Sequence, residues 1–245
     1  MKVAALISAP VGSPDFAGKL LLEVNGKSLI ANTVESVKQS GLFADVMVVT
    51  NDAAIETTLS DAGVQVVMVN KAFDNYIERL AEASMLADAD MFVCIPGDHL
   101  LLNNLAVERL LQLFEGAIGK DVQVASIVQK IQNDTLKEDR NTVKVVLGLR
   151  MHALYMSRYP IPYMQHDEAG FACYEHINII ACRKDAMLRF LQWPPSPLER
   201  AEQIHTLRFV ENGVQIKMHI AQYPYFKIRS EADVAGATAF INNAE

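Results

Sequence analysis

The sequence is poor in the residues that small disulfide-stapled or metal-knuckle proteins depend on. Its 245 residues include three cysteines, Cys94, Cys173 and Cys182, and one tryptophan. An odd count at such wide spacing sets up neither a disulfide framework nor a Cys-x-x-Cys metal knuckle. Reduced, buried thiols and a cytoplasmic location are expected instead. No apolar run is long enough to span a bilayer. The opening segment, residues 1–12, carries one lysine, and its apolar run breaks at Pro10. It reads as a first buried strand rather than a leader, and no membrane partner is expected. Positive charge is also scarce. Lys and Arg number 22 against 29 Asp and Glu, a net charge of −7. That balance favours solubility and offers no basic footprint for nucleic acid. Linkers, low-complexity tracts and internal repeats are missing. What remains is 51% hydrophobic, enough for a sizeable core in one α/β domain over residues 1–245.

The order of apolar segments sets the architecture. Residues 3–8, 45–50, 65–69 and 91–95 are short apolar runs that predict buried parallel strands. Between them, residues 28–39, 53–62 and 77–86 predict helices. The first has Leu29, Ile30, Val34 and Val37 at helical spacing, and Gly41 ends it. Such alternation means βαβ units with right-handed crossovers and a mainly parallel sheet. Ligands of such sheets bind outside the carboxyl ends of the strands. Residues 9–19 and 96–100 fall there.

The second half predicts strands at 123–128, 142–146, 153–156, 176–181 and 214–221. It predicts helices at 184–191, 196–210 and 232–242, with Pro197 in a first turn where its missing N–H costs nothing. A polar loop at 159–170 lies inside an excursion, about residues 150–180, that could reach a partner subunit.

Several segments in this order carry a family resemblance. They are NTVKVVLG at 141–148, ALYMSRYPIPY at 153–163, HINIIACR at 176–183 and WPPSPLERAE at 193–202, followed by TLRFVENGVQI. VNGKSLI at 24–30 and ERLAE at 78–82 match in place. The text resembles the CMP-Kdo synthetases (3-deoxy-manno-octulosonate cytidylyltransferases) along nearly the whole chain. The resemblance implies a nucleotide-diphospho-sugar transferase (Rossmann-like) fold with helices on both faces of the sheet. It implies transfer of CMP from CTP to Kdo, an eight-carbon sugar acid, for lipopolysaccharide synthesis. It also implies Mg²⁺ and a cytoplasmic homodimer with residues 155–180 at its interface.

Carried over residue by residue, the match is uneven. Ala9, Ser13 and Lys19 fall at nucleotide-binding positions, and Lys19 and Asp98 at catalytic ones. Asp98 is also the metal carboxylate, and Arg79, Arg158 and His176 fall at sugar-binding positions. The family's loop arginines are replaced by Pro10 and Asp15, which removes one cation and inverts another charge. Tyr76 and Ile77 stand where the family has small residues. Gln165 replaces a basic residue, and His205-Thr206 replaces a Glu-Gln pair. Arg229 stands at the second metal carboxylate, and the expectation is that it pairs with Asp98. Each residue also has a plainer reading. Lys19 could be a solvated lysine at a loop end, Asp98 a turn or cap residue, and His176 a structural strand histidine. Arg79 could pair with Glu78 or Glu82 on a helix surface. His99 and His205 have no metal spacing and read as incidental. Two functional readings follow: an active, divergent cytidylyltransferase, or a non-catalytic paralogue that binds a sugar acid or phosphorylated ligand.

Overall fold

A computed structural model describes residues 1–10, 18–69, 71, 73, 75–100, 104–165, 171–222, 226–228 and 232–242. The chain divides into two compact units, residues 1–104 with 224–245, and residues 105–223.

The first unit opens with β1 (Val3–Ala9), then the short hairpin strands β2 (Glu23–Val24) and β3 (Lys27–Ser28). Next come α1 (Leu29–Gln39), β4 (Asp45–Thr50), α2 (Ala53–Thr58), β5 (Gln65–Met68), α3 (Tyr76–Ser84), β6 (Met91–Pro96) and β7 (His99–Leu100). Strands β6, β1, β4 and β5 lie side by side in that order and all run parallel. Leu6 sits between Met47 and Cys94 in this register. Ala4, Ala5, Leu6 and Ile7 are fully buried, as a strand covered on both faces requires. The helix starts are capped locally. Ser28 accepts from the Ala31 N–H, Asp52 from Ala54 and Asn75 from Glu78. α2 stops at Thr58, short of the expected residue 62. Ser60 and Ala62 instead close turns onto the carbonyls of Thr57 and Leu59. The Thr57 and Thr58 hydroxyls bond back to Ala53 and Ala54, competition typical of threonine in helices.

The second unit contains α4 (Leu105–Gln112), α5 (Gly116–Gly119), β8 (Val124–Lys130), α6 (Asp134–Glu138), β9 (Lys144–Leu147), β10 (Ala153–Ser157) and β11 (Tyr174–Arg183). α7 (Lys184–Gln192), α8 (Pro197–Glu202), α9 (Leu207–Glu211) and β12 (Ile216–Ala221) complete it. β11 pairs antiparallel with β8 and β9, β10 pairs antiparallel with β9, and β12 runs parallel to β8. The expected helix at 196–210 is two helices. Ser196 and Glu199 form a capping box with Pro197 at the first position. Gln203 then adopts a left-handed conformation, φ 53°, and breaks the run. β9 begins at Lys144, not 142, because Thr142 N–H closes a turn on Asp139.

The chain then returns to the first unit through β13 (Phe226–Lys227) and α10 (Ala232–Asn242). β13 pairs antiparallel with β7 and places Lys227 opposite His99 in the ladder. All three cysteines are buried and free, and burial pushes the Cys94 thiol up.

Candidate functional site

The first unit builds its site at the end of β6. Gly97 donates its N–H to the Ser8 carbonyl and accepts from the Thr33 hydroxyl at 2.9 Å. A Cβ at Gly97 would come within 2.9 Å of both the Ile30 side chain and the Ser8 oxygen. Only glycine lets the backbone approach this closely. The turn is thereby pinned between β1 and α1, and Asp98 follows it at a fixed place. The Asp98 Oδ2 lies 2.6 Å from Lys19 Nζ, with only 9% and 13% of the two side chains exposed. On the other oxygen, His99 Nε2 stands 3.7 Å from Oδ1, and its side chain is fully buried.

Lys19 reaches this point because Gly18, at φ 78°, turns the chain into a short 3-10 turn, Lys19–Leu21. The structure thus joins two residues 79 positions apart. Lys19 is no solvated loop-end lysine, and Asp98 is no simple turn cap. His99 is not incidental either, being packed against the carboxylate. Ala9 is buried beside this strand end, and its carbonyl accepts from Thr50. Pro10 follows β1 directly. Ser13, Asp15 and Arg229 lie outside the described residues, and so does the expected Arg229–Asp98 pair. Among the described residues, Lys19 is a cation on Asp98.

Arg79 sits in the first turn of α3 and is 9% exposed. The surface pairing with Glu78 or Glu82 does not form among the described residues, and Glu82 lies 3.7 Å from Lys71 instead. The Arg79 Nε is buried with no hydrogen-bond partner among the described residues. Burial pulls the Arg79 pKa down from its ordinary value. A guanidinium placed this way is suited to an anionic ligand.

The second unit holds His176 and Arg158. A bulge lies between His176 and Ile180 in the β8–β11 ladder, with Asn178 at φ 61°. Bulges re-aim side chains, and here His176 Nε2 comes 2.7 Å from Ser126 Oγ. The Ser126 hydroxyl donates its one proton to the Ile179 carbonyl at 2.6 Å. It can therefore only accept from His176, which places a proton on Nε2 and leaves Nδ1 as the acceptor in the neutral ring. Arg158 sends Nε to the Glu202 carbonyl at 2.8 Å, Nη1 to Arg140 at 3.0 Å and Nη2 to Gln203 at 3.2 Å. It braces the end of α8, where carbonyls otherwise lack partners. The Glu202 carboxylate accepts from Ser157 Oγ, the Arg158 N–H and Tyr155 OH. Burial alone would raise the Glu202 pKa, but these bonds hold it below the usual value.

The sequence reading missed a buried ion network around α8 and α9. Arg208 is fully buried and binds Glu199 with two parallel bonds, 2.6 Å to Oε2 and 2.8 Å to Oε1. It also donates to the Trp193 carbonyl and lies 4.3 Å from the Phe190 ring centre. His205 Nδ1 stands 3.5 Å from Glu199 Oε1, so this histidine too has a structural job. Thr206 is buried with its hydroxyl on Met156 Sδ. Burial would raise the Glu199 pKa. Hydrogen bonds from His205, Arg208 and the Ser196 N–H, with the charge of Arg208, outweigh it and hold the carboxyl at about 2. The Ser-x-x-Glu capping spacing was the available signal; its distant partner Arg208 was not.

The resemblance implies Mg²⁺, and Asp98 is the residue of this site that could help hold it. Among the described residues there is no group of three or more His, Cys, Asp or Glu side chains that could hold a metal. Asp98 offers one carboxylate, already engaged by Lys19. That suits an ion arriving on a nucleotide's phosphates, since Mg²⁺ is commonly bound by one or two carboxylates plus substrate oxygens.

Parallel βαβ units with a lysine and a carboxylate converging at the strand ends form an α/β fold of the kind the nucleotidyltransferases share. The chain belongs to the cytidylyltransferase family, whose model matches residues 4–216. The 3-deoxy-manno-octulosonate cytidylyltransferase of Flavobacterium johnsoniae is 33% identical over 243 residues, covering 99% of this chain and 100% of the relative. The enzyme of that name from Bdellovibrio bacteriovorus is 35% identical over 222 residues, covering 89% of each chain. A solved CMP:2-keto-3-deoxy-manno-octonic acid synthetase in complex with CTP superposes with a TM-score of 0.87 at 29% identity, covering both chains completely. A 4-diphosphocytidyl-2C-methyl-D-erythritol synthase from Anaerococcus prevotii shares the fold, with a TM-score of 0.63 at 14% identity over 98% of this chain and 96% of the other.

Proposed function

We propose that this protein is a divergent cytidylyltransferase that moves CMP from CTP to 3-deoxy-manno-octulosonate or a related sugar acid, supplying lipopolysaccharide synthesis. The observation that carries the reading is the buried meeting of Lys19 and Asp98 at the strand ends, in a chain of this family. The sugar's anomeric hydroxyl attacks the α-phosphorus. An O–P bond forms there as the hydroxyl proton is released to solvent, the bond to the β-phosphate breaks, and pyrophosphate leaves. Such a transfer needs positioning and positive charge more than covalent help from the protein. Mg²⁺, held by Asp98 when it arrives with the nucleotide, would neutralise phosphate charge. Lys19 would exchange its carboxylate for a phosphate oxygen as the nucleotide enters. Arg79 supplies a buried cation for an anionic group. His176, held by Ser126, stands at a position that the resemblance places near the sugar acid.

Nucleotide affinity is expected to be weak. Pro10 and Asp15 replace two arginines that the resemblance places at the triphosphate. Each lost charge-assisted contact is worth roughly 1.5–3 kcal/mol, so about 100-fold in affinity is readily lost. Calorimetric titration of CTP with Mg²⁺ should give weak binding, and Pro10→Arg with Asp15→Arg should tighten it by about that factor. Sugar-acid binding without any CTP binding would favour the non-catalytic reading, which the prior claim of Lys19 on Asp98 gives some footing.

We also propose a homodimer. Leu149, Leu154, Tyr159, Tyr163 and Phe171 are exposed in or beside the stretch that the resemblance assigns to a subunit interface, which supports the pairing. Light scattering at micromolar concentration should give twice the chain mass; a monomer would contradict the pairing. The family match crosses both units, which supports one transferase domain over residues 1–245. A cytoplasmic location rests on the three free, buried cysteines. No described helix is long and apolar enough to cross a membrane.

A further inference from the structure

A strand interior is a poor place for a charged lysine, because burying an ammonium is costly unless every donor is satisfied. Lys144, in β9, is 1% exposed. Its Nζ donates to three main-chain carbonyls, those of Asp139 at 2.8 Å, Thr142 at 2.6 Å and Arg158 at 2.5 Å. All three ammonium protons are thereby used, and carbonyls rather than a carboxylate receive them. An apolar side chain would fill this strand position at less cost. The three acceptors come from two separate segments, the turn at 139–142 and the stretch that follows β10.

The second segment carries Arg158, and the first leads into β9, which is bonded to the strand of His176. Arg158, whose carbonyl Lys144 holds, sends its own guanidinium back to the Arg140 carbonyl and on to Glu202 and Gln203. Val143, next to Lys144, accepts the His176 N–H at 2.9 Å. In the ladder, Lys144 stands opposite Glu175 on one side and Ser157 on the other. The ammonium ties the turn at 139–142 to the strand end that bears Arg158, and the residue beside it in the chain, Val143, holds the strand that bears His176.

We propose that Lys144 is a positioning residue that fixes Arg158 and His176 relative to each other, so that both can engage one sugar acid. This rests on the sugar-acid reading above. The third proton also needs an acceptor, and the one it finds, the Arg158 carbonyl, is what ties the second segment in.

The test is Lys144→Met in the full chain, which keeps side-chain length and removes the donors. Lys144→Gln, with two donors instead of three, is the milder companion should the methionine variant fold poorly. Calorimetry with 3-deoxy-manno-octulosonate alone and with CTP alone separates the two ligands. Sugar-acid affinity should fall at least tenfold, and less in the Gln variant, while CTP affinity stays within about twofold. Leu110→Ala, a core truncation in α4 away from the three carbonyls, serves as a control of lowered stability and should keep its sugar affinity. Unchanged sugar affinity in both Lys144 variants, or an equal loss in the Leu110 control, overturns the proposal. Amide hydrogen exchange gives a ligand-free readout. In the variants, exchange should quicken at Arg158, Tyr159 and His176 as well as at 139–142. Faster exchange confined to 139–142 reduces Lys144 to a turn-closing residue. Wild-type protein that binds no sugar acid defeats the functional reading itself, and exchange at those three amides still decides whether Lys144 ties them together.

Discussion

Lys19→Met is expected to cut CMP transfer by roughly 10²–10³-fold, the size of effect seen when one preorganised charge at a reacting centre is removed. Two physical changes combine. The triphosphate loses a charge-assisted contact worth roughly 1.5–3 kcal/mol. In addition, Asp98 is left nine-tenths buried without the ammonium now 2.6 Å away, so the folded chain should also lose stability. Asp98→Asn separates the two effects. It removes the unpaired charge, so its melting temperature should lie above that of Lys19→Met, yet transfer should remain low because the carboxylate is gone. Initial rates of pyrophosphate release and thermal melts check both. If Lys19→Met turns over normally and only melts earlier, the lysine is a structural ion-pair partner and nothing more.

Arg208→Met should destabilise the second unit by about 3–5 kcal/mol, the usual consequence of breaking a buried pair from one side. The Glu199 carboxylate would keep its burial and lose two short bonds. Pairing the change with Glu199→Gln should recover part of the loss, because no charge is then stranded. The pH dependence has a definite sign. The Glu199 pKa is depressed to about 2 from an ordinary 4.5. A depressed carboxyl contributes stability that is fully present above the unfolded value and lost as pH falls through the folded one. Stability should therefore hold down to about pH 4.5 and drop by about 3 kcal/mol on approach to pH 2. In Arg208→Met that acid-side loss should shrink. Urea midpoints at neutral pH and across the acid range report both effects.

Much of the fold was legible because parallel strands buried on both faces read as short apolar runs. β1, β4, β5 and β6 fell within a residue or so of their expected bounds for this reason. α8 and α9 were read as one helix because the break at Gln203 comes from its backbone conformation, and glutamine carries no breaker signal. α6 was missed in a polar stretch, and α4 was missed although Val107, Leu110 and Leu111 stand at helical spacing. The site was half legible. Lys19 and Asp98 could be placed at strand ends, since the ends follow from strand order. Their mutual partnership could not, because a contact 79 residues apart leaves no periodic trace. For the same reason Arg79 was given a neighbour on its own helix, where the structure buries it inward. His205 looked idle because its partner, Glu199, lies across the helix break. Arg158 and His176 were found by resemblance alone. What each does locally came only from their carbonyl and hydroxyl partners.

Formation of the CMP-linked sugar acid from CTP, 3-deoxy-manno-octulosonate and Mg²⁺, followed together with pyrophosphate release, tests the proposed reaction most directly. Sugar nucleotide and pyrophosphate should appear in equal amounts, at a turnover below about 1 s⁻¹, the lower end of ordinary enzyme rates. Turnover should rise when arginines are restored at positions 10 and 15. No product from the restored variant at saturating CTP, with the sugar acid still bound, would contradict a cytidylyltransferase and leave a binding protein built on the same fold.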